Sequence, residues 1–160
     1  MSNGNFSEIL ANIPYGVSVV TLGRGGTQVE NGLTISWMSQ VSFNPPMLMV
    51  AVDKLHYSVD LLRSTRNFCV NLLGEDQAAL AGRFAKQATT RDDKLADVAQ
   101  RASESGAAVL IDAVAYFDCE VTTIVEAGDH LVVIGQIEDA AMLKERAPLT
   151  TASGLRYRKG

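Results

Sequence analysis

Six runs rich in β-branched and aromatic residues, each bounded by turn-forming residues, constrain this chain most: Gly16 to Leu22, Leu33 to Val41, Met47 to Val52, Asn67 to Leu73, Ala113 to Val125 and His130 to Ile137. Branching at Cβ suits a pleated, half-buried surface, and repeated short strands with turns between them read as all-β architecture. The series predicts a mainly β fold closed as a barrel. Gly23-Arg24-Gly25-Gly26 can take positive φ at no steric cost, so the first two strands are expected to pair antiparallel across a hairpin. Helical periodicity is confined to short pieces between strands: Phe6 to Ile13, Ser58 to Ser64, Asp76 to Lys86 and Lys94 to Ala102. In the third, Leu80, Phe84 and several alanines form an apolar stripe that is expected to pack on the sheet.

A chain of 160 residues, 47% hydrophobic, is long enough for one cored domain and short for two, so residues 1–160 are read as a single domain. Its formal net charge of -4 supplies no cationic surface for a phosphate backbone, which argues against nucleic acid. The basic run Arg156-Tyr157-Arg158-Lys159 is too short to change that. Cys69 and Cys119 sit in apolar segments without CxxC spacing or neighbouring His, and are read as small reduced core residues. No basic start precedes an apolar run, and no apolar stretch reaches the ~18 residues that span a bilayer, so a cytoplasmic protein with no membrane contact is expected. GxGxxG, phosphate-loop, GxSxG and His/Cys metal patterns are absent, leaving nucleotide hydrolysis, serine hydrolysis and zinc catalysis without their usual supports; no metal is expected.

Four constellations can carry chemistry. In Asn31 to Trp37, Gly32 permits close backbone approach while Thr34 and Ser36 alternate with Leu33, Ile35 and Trp37, putting hydroxyls on one face and apolar groups on the other. In Asp53 to Leu62, Ser58 stands where a helix cap belongs, with His56 and Tyr57 before it and Lys54 nearby; a helix N-terminus with a cation beside it suits a monophosphate. A flat ring at the first segment and a phosphate at the second is the pattern of flavin mononucleotide. Arg83, beside Phe84, can pair with the phosphate, and Lys94 can reach a ring carbonyl and offset negative charge on reduction. Gly128-Asp129-His130 opens a strand with a side chain that titrates near neutrality and can donate to a flavin or nicotinamide group. For each group the plain structural role remains open: half-buried strand residues, a Ser cap with a surface Lys, a solvated helix face, and a hydrogen-bonded structural His.

The order IPYGVSVVTL, NGLTISWMSQVSFNPPMLMVAV, NFCVNLL, AGRFAK, AYFDCEV and GDHLVVIGQI resembles the flavin reductase family with the FMN-binding split-barrel fold, along nearly the whole chain. That family includes flavoredoxins, ferric reductases and the C-terminal module of cyanobacterial flavodiiron proteins. The resemblance implies a homodimer of six-stranded antiparallel barrels with short flanking helices, in which NADH or NADPH reduces FMN and electrons pass to free flavin or another acceptor. It implies cofactor contacts at Asn31, Leu33, Thr34, Ile35, Ser36, Trp37, Lys54, Tyr57, Ser58, Arg83, Phe84, Lys94, His130 and Tyr157, with His130 and Lys94 as the catalytic pair. Relatives often carry Asn at position 56, Thr at 58 and an aromatic at 95, where this chain has His56, Ser58 and Leu95. Two other readings stand beside the reductase: a flavoredoxin-like carrier fed by a protein partner, and a non-catalytic FMN-binding protein.

Overall fold

A computed structural model describes residues 5–23, 31–86 and 94–153. In chain order the elements are α1 (Phe6–Leu10), β1 (Ser18–Leu22), β2 (Asn31–Ile35), β3 (Met38–Phe43), β4 (Pro46–Asp53), α2 (Ser58–Thr65), β5 (Asn67–Leu72), α3 (Ala78–Ala85), β6 (Gln100–Ala102), β7 (Ala108–Leu110), β8 (Ala115–Ala127) and β9 (His130–Met142), then a 3-10 turn at Thr151–Ser153. Seven strands form one antiparallel sheet in the order β2-β1-β5-β8-β9-β4-β3, and β6 pairs with β7 separately. The mainly β class holds, with one strand more in the main sheet than expected.

The extra strand comes from Leu33 to Val41, expected as one strand and found as two. β2 and β3 are the outermost strands of the sheet, yet only Ser36 and Trp37 separate them in the chain. Two residues reach from one edge to the other only if the sheet curls until its edges approach. Trp37 O accepts from Ala51 N at 2.9 Å and Ser36 O from Met38 N at 3.1 Å, so this seam stays hydrogen-bonded to β4 and β3. Alternation in the sequence runs straight through the seam, which is why it conceals the change of edge.

The curled sheet encloses one core. Val20, Leu22, Leu33, Ile35, Leu48, Val50, Val52, Phe68, Val70, Val121, Leu131 and Val133 point inward, and Val59 and Leu62 of α2 join them. Gly135 admits the Phe68 ring, since a Cβ there would lie 2.6 Å from Phe68 Cε1. A second core lies outside the sheet, where Val17, Val19, Ala81, Phe84, Leu95, Ala108 and Leu110 pack together. Strand β1 is therefore buried along all five residues, covered on both faces. Both cysteines are free and buried, as expected; burial raises both thiols, Cys119 to about 12.

The expected first hairpin is present as the β1–β2 pair, Ser18↔Ile35 to Leu22↔Asn31; Gly23 enters its turn at φ 101°, and residues 24–30 lie outside the described residues. The helix expected over Lys94 to Ala102 is not formed: turns run from Lys94 into β6, and Asp97 sits at φ 63°, which ends any right-handed helix. Leu95 and Val98 still reach the outer core, so the apolar spacing that mimicked a helix serves a turn instead.

Candidate functional site

Polar side chains buried against the start of β2 form one half of the site. Asn31, 3% exposed, donates through Nδ2 to Ser58 Oγ, and Ser58 is fully buried. Ser58 is not the cap of α2, contrary to expectation: Tyr57 holds that place with φ -63° and ψ -19°, and no side chain caps the helix in the usual way. The Ser58 amide instead donates to His56 Nδ1 at 3.2 Å, so a neighbouring imidazole takes the free N–H and leaves the hydroxyl to Asn31. His56 is held below its ordinary pKa by burial and then by the Lys94 charge, against a smaller opposing pull from Asp53. Burial raises the Tyr57 phenol, and a hydrogen bond with Asn31 partly offsets the rise.

Lys94 reaches the same wall. It is 7% exposed, and its ammonium donates to Gly32 O at 3.4 Å and Phe84 O at 3.3 Å. Among the described residues no carboxylate lies within ion-pair distance of it. Burial accordingly pulls its pKa below the usual lysine value. Gly32 makes the approach possible, because a Cβ there would stand 2.7 Å from two carbons of the Phe84 ring.

The second half gathers where the seam meets the β8–β9 turn. His130, 8% exposed, pairs opposite Asp53 in the ladder between β4 and β9. Its Nδ1 lies 2.6 Å from Asp129 Oδ1, and the Trp37 ring packs on it at a centroid distance of 4.7 Å and a tilt of 44°. The segment from Asp53 to Tyr57 links the two halves: Lys54 N donates to Asp129 O at 3.0 Å, while Asp53 acts on His56.

The structure thus brings Asn31, Tyr57, Ser58, Phe84 and Lys94 together, and separately Trp37 and His130. Leu33 and Ile35 turn their side chains into the barrel core, leaving only backbone for a ligand. Thr34 Oγ1 donates to Ala81 O at 2.6 Å, so α3 already occupies that hydroxyl; Ser36 is half-buried at the seam. The Lys54 ammonium pairs with Glu126 at 3.5 Å, and Arg83 is exposed and donates to Ala96 O; neither is bonded to Ser58. Tyr157 lies outside the described residues. Sequence reasoning assigned no role to Asp129, although an acid next to a histidine at a turn is a signal for one. It also left unseen that His56 closes the start of α2.

A desolvated ammonium with only neutral carbonyl partners, beside buried amide and hydroxyl groups, fits an electron-accepting ring that gains negative charge; the aromatic and imidazole pair fits a flat stacking partner. The profile described as "Flavin reductase like domain" matches residues 10–159. The chain belongs to this family. It is 30% identical over 144 residues to the flavin reductase of Pseudomonas putida, an alignment covering 90% of this chain and 82% of that protein. It is 34% identical over 140 residues to the 4-nitrophenol 4-monooxygenase/4-nitrocatechol 2-monooxygenase reductase component of Rhodococcus opacus, covering 88% of this chain and 72% of that one. Against diflavin flavoprotein A 6 of Nostoc, 34% identical over 142 residues, the alignment takes in 88% of this chain and only 25% of the relative. Among solved structures, the NADH:FAD oxidoreductase SgcE6 of Streptomyces globisporus C-1027 superposes with a TM-score of 0.81 at 29% identity, over 95% of this chain and 84% of that one. Flavin reductase-like split barrels therefore share this fold, and the residues present fit a flavin.

Proposed function

We propose that this chain is an NAD(P)H-dependent flavin oxidoreductase that binds FMN and passes electrons to free flavin or another acceptor. The observation that carries the reading is Lys94, a buried cation held by two backbone carbonyls on the wall formed by Asn31, Ser58 and Phe84. A bound flavin supplies the chemistry of accepting hydride and releasing electrons, with nicotinamide as donor. Lys94 contributes fixed positive charge in a low-dielectric setting, where it offsets negative charge far better than in water. Asn31 and Ser58 hold polar groups of the ring or its side chain in register. Trp37 and His130 form the wall against which the donor ring is oriented, the half-buried indole packing on the buried imidazole.

FMN is the flavin of this reading, its phosphate paired by Lys54, which exchanges its exposed partner Glu126 at little cost. The donor is NADH or NADPH. A homodimer is supported by β3, an edge strand exposing Val41 at 47% and Phe43 at 89%. A partner oxygenase as consumer of reduced flavin is supported by relatives named as reductase components of monooxygenases. Among the described residues no helix is long and apolar enough to cross a membrane, and two buried free thiols suit the cytoplasm. Likeness to one quarter of the diflavin flavoproteins favours a second reading, an electron-carrying module fed by a protein partner.

The deciding experiment is an anaerobic visible spectrum of the protein with FMN, before and after stoichiometric NADH. Prompt bleaching of bound flavin is expected. Bound flavin that stays oxidised turns the reading to the carrier or a simple binder, and absence of binding defeats the site.

A further inference from the structure

The start of α2 is closed by an imidazole, where a hydroxyl, carboxamide or carboxylate is usual. The amide of Ser58, the first helical residue, is one of the donors that a helix leaves without an internal partner, and it donates to His56 Nδ1 at 3.2 Å. The bond spans two residues, the reach of an Asx turn, with an imidazole in place of the carboxamide. Only a neutral ring with its proton on Nε2 offers a lone pair at Nδ1; the charged ring carries N–H at both positions and accepts nothing. Tyr57 stacks on the ring at a centroid distance of 5.2 Å and a tilt of 20°. Ser58 is fully buried and its hydroxyl accepts from Asn31 Nδ2, so the amide and the hydroxyl of one residue tie His56 to the polar wall. The charges around the ring come from several elements. Burial opposes its protonation most, Lys94 opposes it next, and Asp53 at the end of β4 favours it, so the pKa lies below the ordinary histidine value of 6.5. The neighbouring Tyr57 phenol is shifted upward, away from ionisation, and Asp60 in the first turn of α2 is exposed to solvent.

We propose that His56 is a positioning residue that holds Ser58 on Asn31 only while its ring is neutral, so that acid loosens the polar wall and the chain releases flavin as His56 takes up a proton. The proposal rests on the flavin reading, whereas the tautomer of the ring and its bond to Ser58 belong to the chain alone. Protonation sets two N–H donors against each other, leaves the buried Ser58 amide without an acceptor and adds a second cation near Lys94. A carboxamide at position 56 accepts the same amide through its oxygen and does not titrate.

Nitrogen-resolved NMR of the His56 ring and fluorescence titration of riboflavin, both on the full chain across about pH 5 to 8, where histidines ordinarily change charge, test this together. Riboflavin is the probe because a phosphate monoester itself titrates near about pH 6. The ring is expected as the Nε2–H tautomer at the alkaline end. The riboflavin dissociation constant is expected to rise about tenfold per pH unit once the ring is charged, since only the neutral fraction binds. His56→Asn should bind with an affinity that does not vary over this range, and His56→Ala, which offers the Ser58 amide no acceptor, should bind weakly throughout. An Nδ1–H ring in the native protein overturns the proposal, as does a ring that stays neutral across the range, an affinity that stays flat while the ring titrates, or the same acid loss in His56→Asn. Binding of FMN without riboflavin overturns it too, because the wall of Asn31 and Ser58 then grips nothing. A chain that binds neither flavin at the alkaline end fails at the earlier step and overturns the flavin reading itself, before any variant is made.

Discussion

Lys94 and His130 are buried to nearly the same degree, 7% and 8% exposed, yet the chain supports them in opposite ways. His130 has its acid next to it in sequence, presented by a two-residue turn, and an aromatic ring packed on it. Lys94 is held by carbonyls 62 and 10 residues away and, among the described residues, by no acid. Burying a charge without a counter-charge costs stability, whereas a paired imidazole does not carry that burden. The contrast teaches where the electrostatic burden lies: on the proposed reading the Lys94 wall meets negative charge and the His130 wall orients the donor, and only the first carries a buried charge with no acid beside it among the described residues.

The largest effect expected on this contrast comes from removing the ring beneath Lys94. Phe84→Ala empties a fully buried position of the outer core and should destabilise the protein by about 3–5 kcal/mol in urea unfolding, while loosening FMN binding in titration; an unaltered midpoint with an unaltered FMN affinity would show that Phe84 supports neither. Next, Lys94→Met keeps the volume and removes the charge. It should weaken binding of reduced FMN by about 1.5–3 kcal/mol, and oxidised FMN by less, in anaerobic titrations; equal losses for both forms would remove the electrostatic role.

The same variant tests the cost of the buried charge. The folded-state pKa of Lys94 lies below its unfolded value of 10.5, so between those two values the unfolded chain binds more protons, and native stability rises with pH. Lys94→Met should lose that rise, and parallel stability curves for the two proteins across that window would contradict it. His56 follows the same sign: its lowered pKa makes stability fall as pH drops below 6.5, a fall that His56→Asn should abolish in chemical denaturation.

Smaller effects separate fold from ligand. Thr34→Val loses the hydrogen bond to Ala81 O and should cost about 1 kcal/mol of stability with FMN affinity unchanged, since that hydroxyl serves α3. A loss of FMN affinity instead would return Thr34 to the ligand. Smallest of all in stability, Lys54→Ala breaks an exposed ion pair and should stay within about 0.5 kcal/mol of native, yet weaken FMN relative to riboflavin. An unchanged ratio of the two affinities would remove Lys54 from the phosphate seat.

Much of this molecule was legible before its structure. Strand runs with period-two burial, as in Leu48, Val50 and Val52, announce themselves because one face must be apolar and the other need not be. The hairpin histidine was legible for a related reason, since Gly128, Asp129 and His130 meet through local turn geometry. The seam at Ser36 and Trp37 was not, because alternation is the same whether a strand continues or changes edge. The turn after Lys94 was not, because Leu95 and Val98 satisfy helical spacing while Asp97 forbids the helix.

The sequence by itself determined the β class, the family, the two walls as segments and the types of side chain they offer. Only the tertiary structure decided that Leu33 and Ile35 belong to the core, that Ser58 answers Asn31 and caps nothing, and that Lys94 lies buried on backbone carbonyls. The physical reason is range. Periodicity and turn chemistry act over a few residues and are written in adjacent letters, whereas burial and charge environment arise from segments brought together by the curl of the sheet.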